Sequence, residues 1–328
     1  MVYLGIDVSK LKLDCALLID PDKLKCKNKK VANTSEGVRS LIQWCAKQGV
    51  AVGQLHVVME ATGRYHETCA QALYDAGATV SIVNPAQVRD FAKAMAQRGK
   101  TDALDSLALA RFGLAMQPEP WQAPALHARQ LQALLTRRDS VAKDLQRETN
   151  RQEKALSAQT PELVLQSLEQ TISFLTQELK RLERAIDEHI DRHPDLKDDE
   201  RLLTSIPGVG PRTGRTMLAV MHNHRFSSAQ GLAAYLGLVP VPRQSGNSIL
   251  GRSRLAKNGP GSVRAMLYLA AMAAIRYNPH IQALYTRLQA NGKSRMSAIG
   301  AAMRKLVHLC FGVLKTRREY QPNYALSA

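Results

Sequence analysis

Four acidic residues stand where their chemistry could be shared. Asp7 ends the apolar run Val2-Tyr3-Leu4-Gly5-Ile6, and Glu60 ends Leu55-His56-Val57-Val58-Met59, so two strand-like segments each deliver one carboxylate at an edge. A carboxylate among buried strand residues is costly unless something pairs with it. Lys100-Thr101-Asp102-Ala103-Leu104-Asp105 adds two more, and their i,i+3 spacing puts both on one face of a helix. Four converging carboxylates suit a pair of Mg2+ (or Mn2+) ions about 4 Å apart, the arrangement used for phosphoryl transfer. Each acid alone has a plainer reading: Asp102 as a helix cap or first-turn acid, Asp7 as a turn residue at a strand end.

A second set lies far along the chain. Leu203-Thr204-Ser205-Ile206-Pro207-Gly208-Val209-Gly210-Pro211-Arg212-Thr213-Gly214 reads as a helix-hairpin-helix. There Gly208 and Gly210 would let the backbone approach a phosphate, and Arg212 and Arg215 would add charge. Residues 238–257, rich in proline and glycine, predict an exposed loop that concentrates Arg243, Arg252, Arg254 and Lys257 with Ser245, Ser248 and Ser253. By itself Ser245, next to Gly246, reads as a solvated turn residue.

The elements that must position these residues follow from periodicity. Residues 2–8, 13–19 and Cys26–Val31 predict three strands, and Asn33-Thr34-Ser35-Glu36 caps a helix through Val38, Leu41, Ile42 and Cys45. Strand 55–60, helix 65–76, strand 79–83 and helices near 86–96 and 102–116 complete the region. The order β-β-β-α-β-α-β-α is the RNase H-like one, so an α/β domain with a five-stranded mixed sheet is expected over 1–118.

Over 119–194 the expectation is a helical linker. One helix runs from Leu126 to about Ser157. A second opens at Pro161 with Leu165, Leu168, Ile172, Leu175, Leu179, Leu182 and Ile186 on a heptad seam. The pair is either an antiparallel hairpin or a dimerising coiled coil. His193-Pro194 and the Lys197-Asp198-Asp199-Glu200 run then predict a linker into an all-helical domain over 195–328.

Charge narrows the partners. The net charge is +17, divided as +3 over 1–125, zero over 126–194 and +14 over 195–328, and no Asp or Glu occurs between Arg201 and Arg318. Such a surface repels itself unless a polyanion neutralises it, which points to nucleic acid. An anionic membrane fits less well, because the basic residues are spread over several segments and not gathered on one amphipathic face. No apolar run is expected to reach the roughly 20 residues of a membrane span, because Arg276 and Lys305 interrupt the carboxy-terminal helices. Met1 leads straight into a strand-like segment, so no signal peptide is expected and the expected location is the cytoplasm. Cys15, Cys26, Cys45, Cys69 and Cys310 lack paired spacing and read as buried thiols.

The segments Gly5-Ile6-Asp7-Val8-Ser9-Lys10, Val58-Met59-Glu60-Ala61-Thr62-Gly63-Arg64-Tyr65-His66-Glu67, Val83–Ala94 and Lys100–Ala110 together resemble the DEDD-type insertion-sequence transposases related to the Piv DNA invertase. The amino-terminal domain of that family is similar to the RuvC resolvase. The resemblance implies a metal-binding tetrad at Asp7, Glu60, Asp102 and Asp105. Residues 238–257 with Pro260-Gly261-Ser262 resemble the family's second domain, whose nucleophilic serine matches Ser245.

The same resemblance implies a bacterial, nucleoid-associated recombinase that acts on donor and target DNA. It also implies a structured noncoding bridge RNA as guide and a homo-oligomer, a dimer that becomes a tetramer on DNA. No acid lies near Ser245 in sequence, so the carboxylates that serve it must come from the amino-terminal domain of the same or another subunit. Two other classes compete. A Holliday-junction-type endonuclease would share the carboxylates but hydrolyse without a covalent intermediate. A non-catalytic nucleic-acid-binding protein would gain nothing from acids facing a polyanion.

Overall fold

The computed structural model describes residues 1–20, 25–61, 63, 65–95, 99, 101–245, 249–256 and 259–323; at 242–245 and 249–253 it describes the backbone. The chain divides into two units, Met1–Ala123 and Pro124–Ala328. It is mixed α/β, with one five-stranded mixed sheet and twelve α-helices among the described residues.

In the first unit the alternation of apolar residues becomes β1 (Val2–Val8), β2 (Lys12–Asp20), β3 (Lys25–Ala32), β4 (Leu55–Glu60) and β5 (Thr79–Val83). Their order in the sheet is β3-β2-β1-β4-β5, the order expected of an RNase H-like sheet. The first three strands form an antiparallel meander, and β1/β4 and β4/β5 pair parallel. The side chains of Leu4, Ile6, Leu13, Cys15, Leu17, Val57 and Met59 point to one face. There they pack under α1 (Ser35–Lys47) and α2 (Tyr65–Asp75), through Leu41, Cys45, Cys69 and Leu73. The opposite face carries Tyr3 and Val58 under α3 (Pro85–Ala94) and α4 (Asp102–Met116).

The second unit begins with a pair of long helices, α5 (Leu126–Leu156) and α6 (Glu162–Asp191), which pack on each other. The heptad seam of α6 meets α5 of the same chain, with Leu182 and Ile186 buried at the base and Leu165 to Leu179 half-buried beyond them. At the base Leu131, Leu135, Ile186 and Ile190 join one core with α7 (Pro194–Thr204), α8 (Pro211–Asn223), α9 (Ala229–Tyr235), α10 (Gly261–Tyr277), α11 (Pro279–Ala290) and α12 (Arg295–Thr316).

Three expectations need correction. The acidic run expected as a linker is helical: Pro194 opens α7, a first-turn position that needs no amide hydrogen, and Leu196, Leu202 and Leu203 bury its apolar face. The segment expected as a loop is a two-stranded antiparallel hairpin, β6 (Pro240–Ser245) with β7 (Ile249–Leu255). Its prolines are tolerated because a two-stranded hairpin consists of edge strands, where a missing amide donor is cheap. Finally, α12 does have the length and hydropathy of a membrane span, but half of that window is buried against the other helices of the unit. Leu306, Val307 and Cys310 account for its apolarity as core.

Cys15, Cys45, Cys69 and Cys310 are free and buried, as expected of them, whereas Cys26 on the outer strand β3 is half-exposed.

Candidate active site

Pairing register brings two of the four carboxylates side by side. Ile6 pairs with Met59 across the parallel β1/β4 ladder, so the next residues, Asp7 and Glu60, occupy equivalent positions at the carboxyl ends of adjacent strands. Alternation places Asp7 on the face of Tyr3 and Gly5, and Glu60 on the face of Val58. That face is covered by α4.

The helix is aligned by close backbone approach. A Cβ at Gly5 would lie 1.9 Å from the Ser106 carbonyl oxygen and 2.5 Å from the Ala110 nitrogen, and one at Gly113 would lie 2.7 Å from both Tyr3 and Val58. Moving along β1 from Tyr3 to Asp7 therefore means moving along α4 from Gly113 back towards Asp102. The first turn of α4, with Asp102 and Asp105, thus lies at the Asp7 end of the strand. Thr101 caps that turn, its hydroxyl oxygen accepting the Leu104 amide at 3.2 Å. Asp102 is consequently not the cap but a first-turn acid, the other half of its plain reading, and that place also sets it at the Asp7 end of β1.

The electrostatics match this convergence. Asp7 is pushed above the ordinary carboxylate range first by burial, then by the negative charges of Asp105, Asp102 and Asp14. Asp102 is held below that range by the Lys12 ammonium, which donates to its Oδ2 at 2.8 Å.

Asp14 and Lys12 were not singled out by the sequence. Asp14 is buried directly opposite Asp7 on β2 and is paired with Lys30 at 2.9 Å and Lys12 at 3.7 Å. A signal existed: Asp7 and Asp14 flank the β1/β2 turn, where Ser9 binds back to Lys12, so antiparallel pairing sets them face to face. Across the sheet the row reads Lys30, Asp14, Asp7, Glu60.

The residues of the second unit are distributed differently. Gly208 has φ +99°, and a Cβ there would lie 2.6 Å from Cβ of Ala274, so its glycine is demanded by packing against α10. Gly210 precedes Pro211 at the start of α8 and has open space around it. Arg212 is exposed and 3.4 Å from Asp139, whereas Arg215 is held by Glu200 at 2.6 Å and Asp187 at 2.7 Å. Ser245 is the last residue of β6, paired with Ile249 across the hairpin, and Arg243 pairs with Gly251. Arg252 lies on β7, and Arg254 is exposed opposite Val241. The side chains of Arg243, Ser245, Arg252 and Ser253, and the whole of Ser248 and Lys257, lie outside the described residues.

A family profile described as a transposase, of the DEDD type of IS110 elements, matches residues 4–161. A second, described as a transposase of the IS116/IS110/IS902 family, matches residues 200–286. The pilin gene-inverting protein of Moraxella bovis is 32% identical over 321 residues, 97% of each chain. The chain belongs to the IS110 family of DEDD transposases. The transposase for insertion sequence element IS1111A of Coxiella burnetii is also similar, 26% identical over 249 residues, 67% of this chain and 66% of that one. The protein is therefore an enzyme that acts on DNA in transposition or recombination. In this transposase the first match contains Asp7, Glu60, Asp102 and Asp105, and the second contains Ser245 with Gly208, Gly210, Arg212, Arg243, Arg252, Arg254 and Lys257.

DEDD transposases work with divalent metal. The carboxylates fit that requirement by their chemistry. All donors are hard oxygens, and their mutual repulsion, visible in Asp7, asks for a cation. They do not form a compact set of ligand atoms as they stand. Among the described residues, three ligand atoms within 4.8 Å of one another occur at His127, Asp195 and His222. The Lys12 ammonium lies by Asp102 instead. Both partners of that ion pair are exposed, so water screens it and it presents little barrier to an incoming cation.

Proposed function

We propose that this transposase cuts and exchanges DNA strands by direct phosphodiester transfer, with Asp7, Glu60, Asp102 and Asp105 holding Mg2+ (or Mn2+) and Ser245 as the nucleophile. The observation that carries the carboxylate half is the alignment of α4 over β1, with Asp7 raised by burial and then by the like charges around it. The serine half rests on the family resemblance of residues 238–257 and on the position of Ser245 at the end of β6.

Bound divalent metal would supply charge stabilisation to the attacking and leaving oxygens. Asp7 and Glu60, fixed by strand pairing, would bind from the sheet, and Asp102 and Asp105 from a helix turn locked by Gly5. The Ser245 hydroxyl would lose its proton and attack phosphorus, and the bond to the leaving strand oxygen would break with its electron pair, that oxygen taking up a proton. The resulting phosphoserine diester keeps the bond energy. A hydroxyl of the strand to be joined then attacks the same phosphorus and releases the serine. Hydrolysis would discard that energy. Relatives bearing the names gene-inverting protein and transposase favour exchange over a junction-type endonuclease.

The acid-free second unit would grip the polyanions: donor and target DNA, and the structured guide RNA that the resemblance implies. Gly210 and Arg212 at the start of α8, as the second helix of a helix-hairpin-helix, would contact backbone phosphate. Arg243, Arg252, Arg254 and Lys257 would do so along the hairpin. Gly208 is better explained by Ala274. A homodimer, assembling to a tetramer on DNA, would bring the two halves of the site together in the bacterial cytoplasm.

The deciding experiment incubates purified protein, Mg2+ and labelled element-end DNA, then looks for a protease-sensitive protein–DNA adduct on denaturing gels. Wild type should form it, Ser245→Ala should not, and Asp102→Asn should lose at least about 100-fold. Recombination by Ser245→Ala at the wild-type rate would overturn the serine assignment. Sequencing of RNA that co-purifies with the protein from cells carrying the flanking noncoding DNA tests the guide.

A further inference from the structure

A group of metal-ligating side chains lies away from the carboxylates, within the second unit. His127 stands in the first turn of α5, Asp195 in the first turn of α7, and His222 in the last turn of α8. One ligand atom from each lies within 4.8 Å of the other two. His127 Nε2 is 2.9 Å from Asp195 Oδ2. His222 Nε2 is 2.8 Å from Oδ2 of Asp199, a buried carboxylate that is also bound by Arg317.

The surroundings restrict what these groups are for. Of nine histidines in the chain, four belong to this place. His193 stacks on His127 with ring centroids 4.8 Å apart, and His189 lies 4.5 Å from His193. His189 and His193 bond backbone carbonyls, through Nε2 to His127 and Nδ1 to His189 respectively. Residues 195–328 hold five acids among nineteen basic residues, and two of the five face these two histidines.

We propose that His127, Asp195 and His222 form a zinc site that clips the base of the helical hairpin to α7 and α8. Two borderline imidazole nitrogens with one carboxylate oxygen are a set that Zn2+ takes in tetrahedral geometry, with a fourth position for water. Mg2+ prefers the all-oxygen set of the other unit. A ligand atom about 2.0–2.1 Å from zinc lies a little over 3 Å from its neighbours, so side-chain rotations must close the present spacing. Asp199, 2.8 Å from His222 Nε2, is the kind of carboxylate partner that orients a ligating histidine. The clip joins helices far apart in sequence without using any residue of the transfer reaction.

The test uses the full chain carrying Asp7→Asn and Asp102→Asn, so that zinc captured by the carboxylates does not count. After EDTA treatment and dialysis, Zn2+ is titrated by calorimetry, and Co2+ is used as an optical probe. Expected are one Zn2+ per chain, a rise in Tm of roughly 5 °C, and visible Co2+ bands of tetrahedral intensity. Added His127→Gln and His222→Gln should abolish all three. If that variant does not fold, Asp195→Asn alone, an exposed side chain, should weaken zinc binding at least about 10-fold. Absence of stoichiometric zinc overturns the proposal, as does unchanged affinity in the Asp195→Asn variant. Either failure leaves the carboxylate reading standing, because two of its four carboxylates are replaced and Mg2+-dependent transfer is not what the assay reads.

Discussion

Asp7 and Asp14 face each other across the β1/β2 pair, and only one of them is neutralised. Asp14 has Lys30 at 2.9 Å, while Asp7 is burdened by burial and by three neighbouring carboxylates. Without metal, the ionised Asp7 therefore works against folding. Asp7→Asn should melt higher than wild type in EDTA, by roughly 2–6 °C, while recombination is lost. Adding Mg2+ should raise the wild-type Tm and leave the variant nearly unmoved. A variant that melts lower than wild type in EDTA would show that Asp7 is stabilising, against this account.

The alignment of α4 depends on Gly5. A methyl group there would meet backbone atoms of Ser106 and Ala110 that cannot rotate away. Gly5→Ala should cost about 1–3 kcal/mol or more in urea unfolding and lower DNA cleavage further than the stability loss explains, because Asp102 and Asp105 move with the helix. Gly63→Ala, at a position with open space but φ +52°, should cost less.

These two positions show how much the sequence could tell. Strand order, the paired edge carboxylates and the helix bearing Asp102 and Asp105 were legible because they follow from periodicity and spacing within short segments. The role of Asp14 was not, since it depends on which residue of β2 meets Asp7, a property of the turn and not of local composition. Gly208 misled for a similar reason. Its glycine looked like a phosphate approach, but the demand comes from Ala274, sixty-six positions away in sequence. The hairpin at 240–255 was hidden by its prolines and glycines, which mark loops and edge strands alike.

Gly208 and Gly210 should accordingly separate in experiment. Gly208→Ala should destabilise the second unit by at least about 2 kcal/mol, since both the positive φ and Ala274 oppose a side chain. Gly210→Ala, in open space at φ −80°, should leave unfolding nearly unchanged and weaken DNA binding a few-fold at 150 mM salt. Filter-binding and urea curves on the two variants check this. Equal stability losses would remove the distinction.

The dependence of stability on pH should carry the mark of His56. Burial lowers its pKa from 6.5, and its Nε2 is 2.8 Å from Ser81 Oγ in the packed layer under α4. Since the folded pKa is depressed, the unfolded chain takes up the proton first. The contribution is complete above about 6.5 and is lost as pH falls from there through the folded value. The slope from one such group is at most about 1.4 kcal/mol per pH unit. Burial and the nearby Arg304 and Lys305 lower His308 as well, so it adds in the same direction in the second unit. Urea unfolding of wild type and His56→Gln between pH 8 and 5 should show a shallower acid slope in the variant, whatever its stability at pH 8.

The far end of the helical hairpin gives a prediction about assembly. The seam from Leu165 to Ile186 is used within the chain, so it is not free to pair with a second copy without opening the α5/α6 contact. What stays outside is Phe174, 64% exposed, with Leu163 at 77% and Val164 at 45%. If the proposed oligomer uses the hairpin, it uses this outer surface. Phe174→Glu should then shift the protein towards monomer in sedimentation while leaving its Tm unchanged, whereas Leu182→Glu, in the buried base, should unfold the hairpin. An oligomer that survives Phe174→Glu, Leu163→Glu and Val164→Glu together would place the subunit contact elsewhere on the chain.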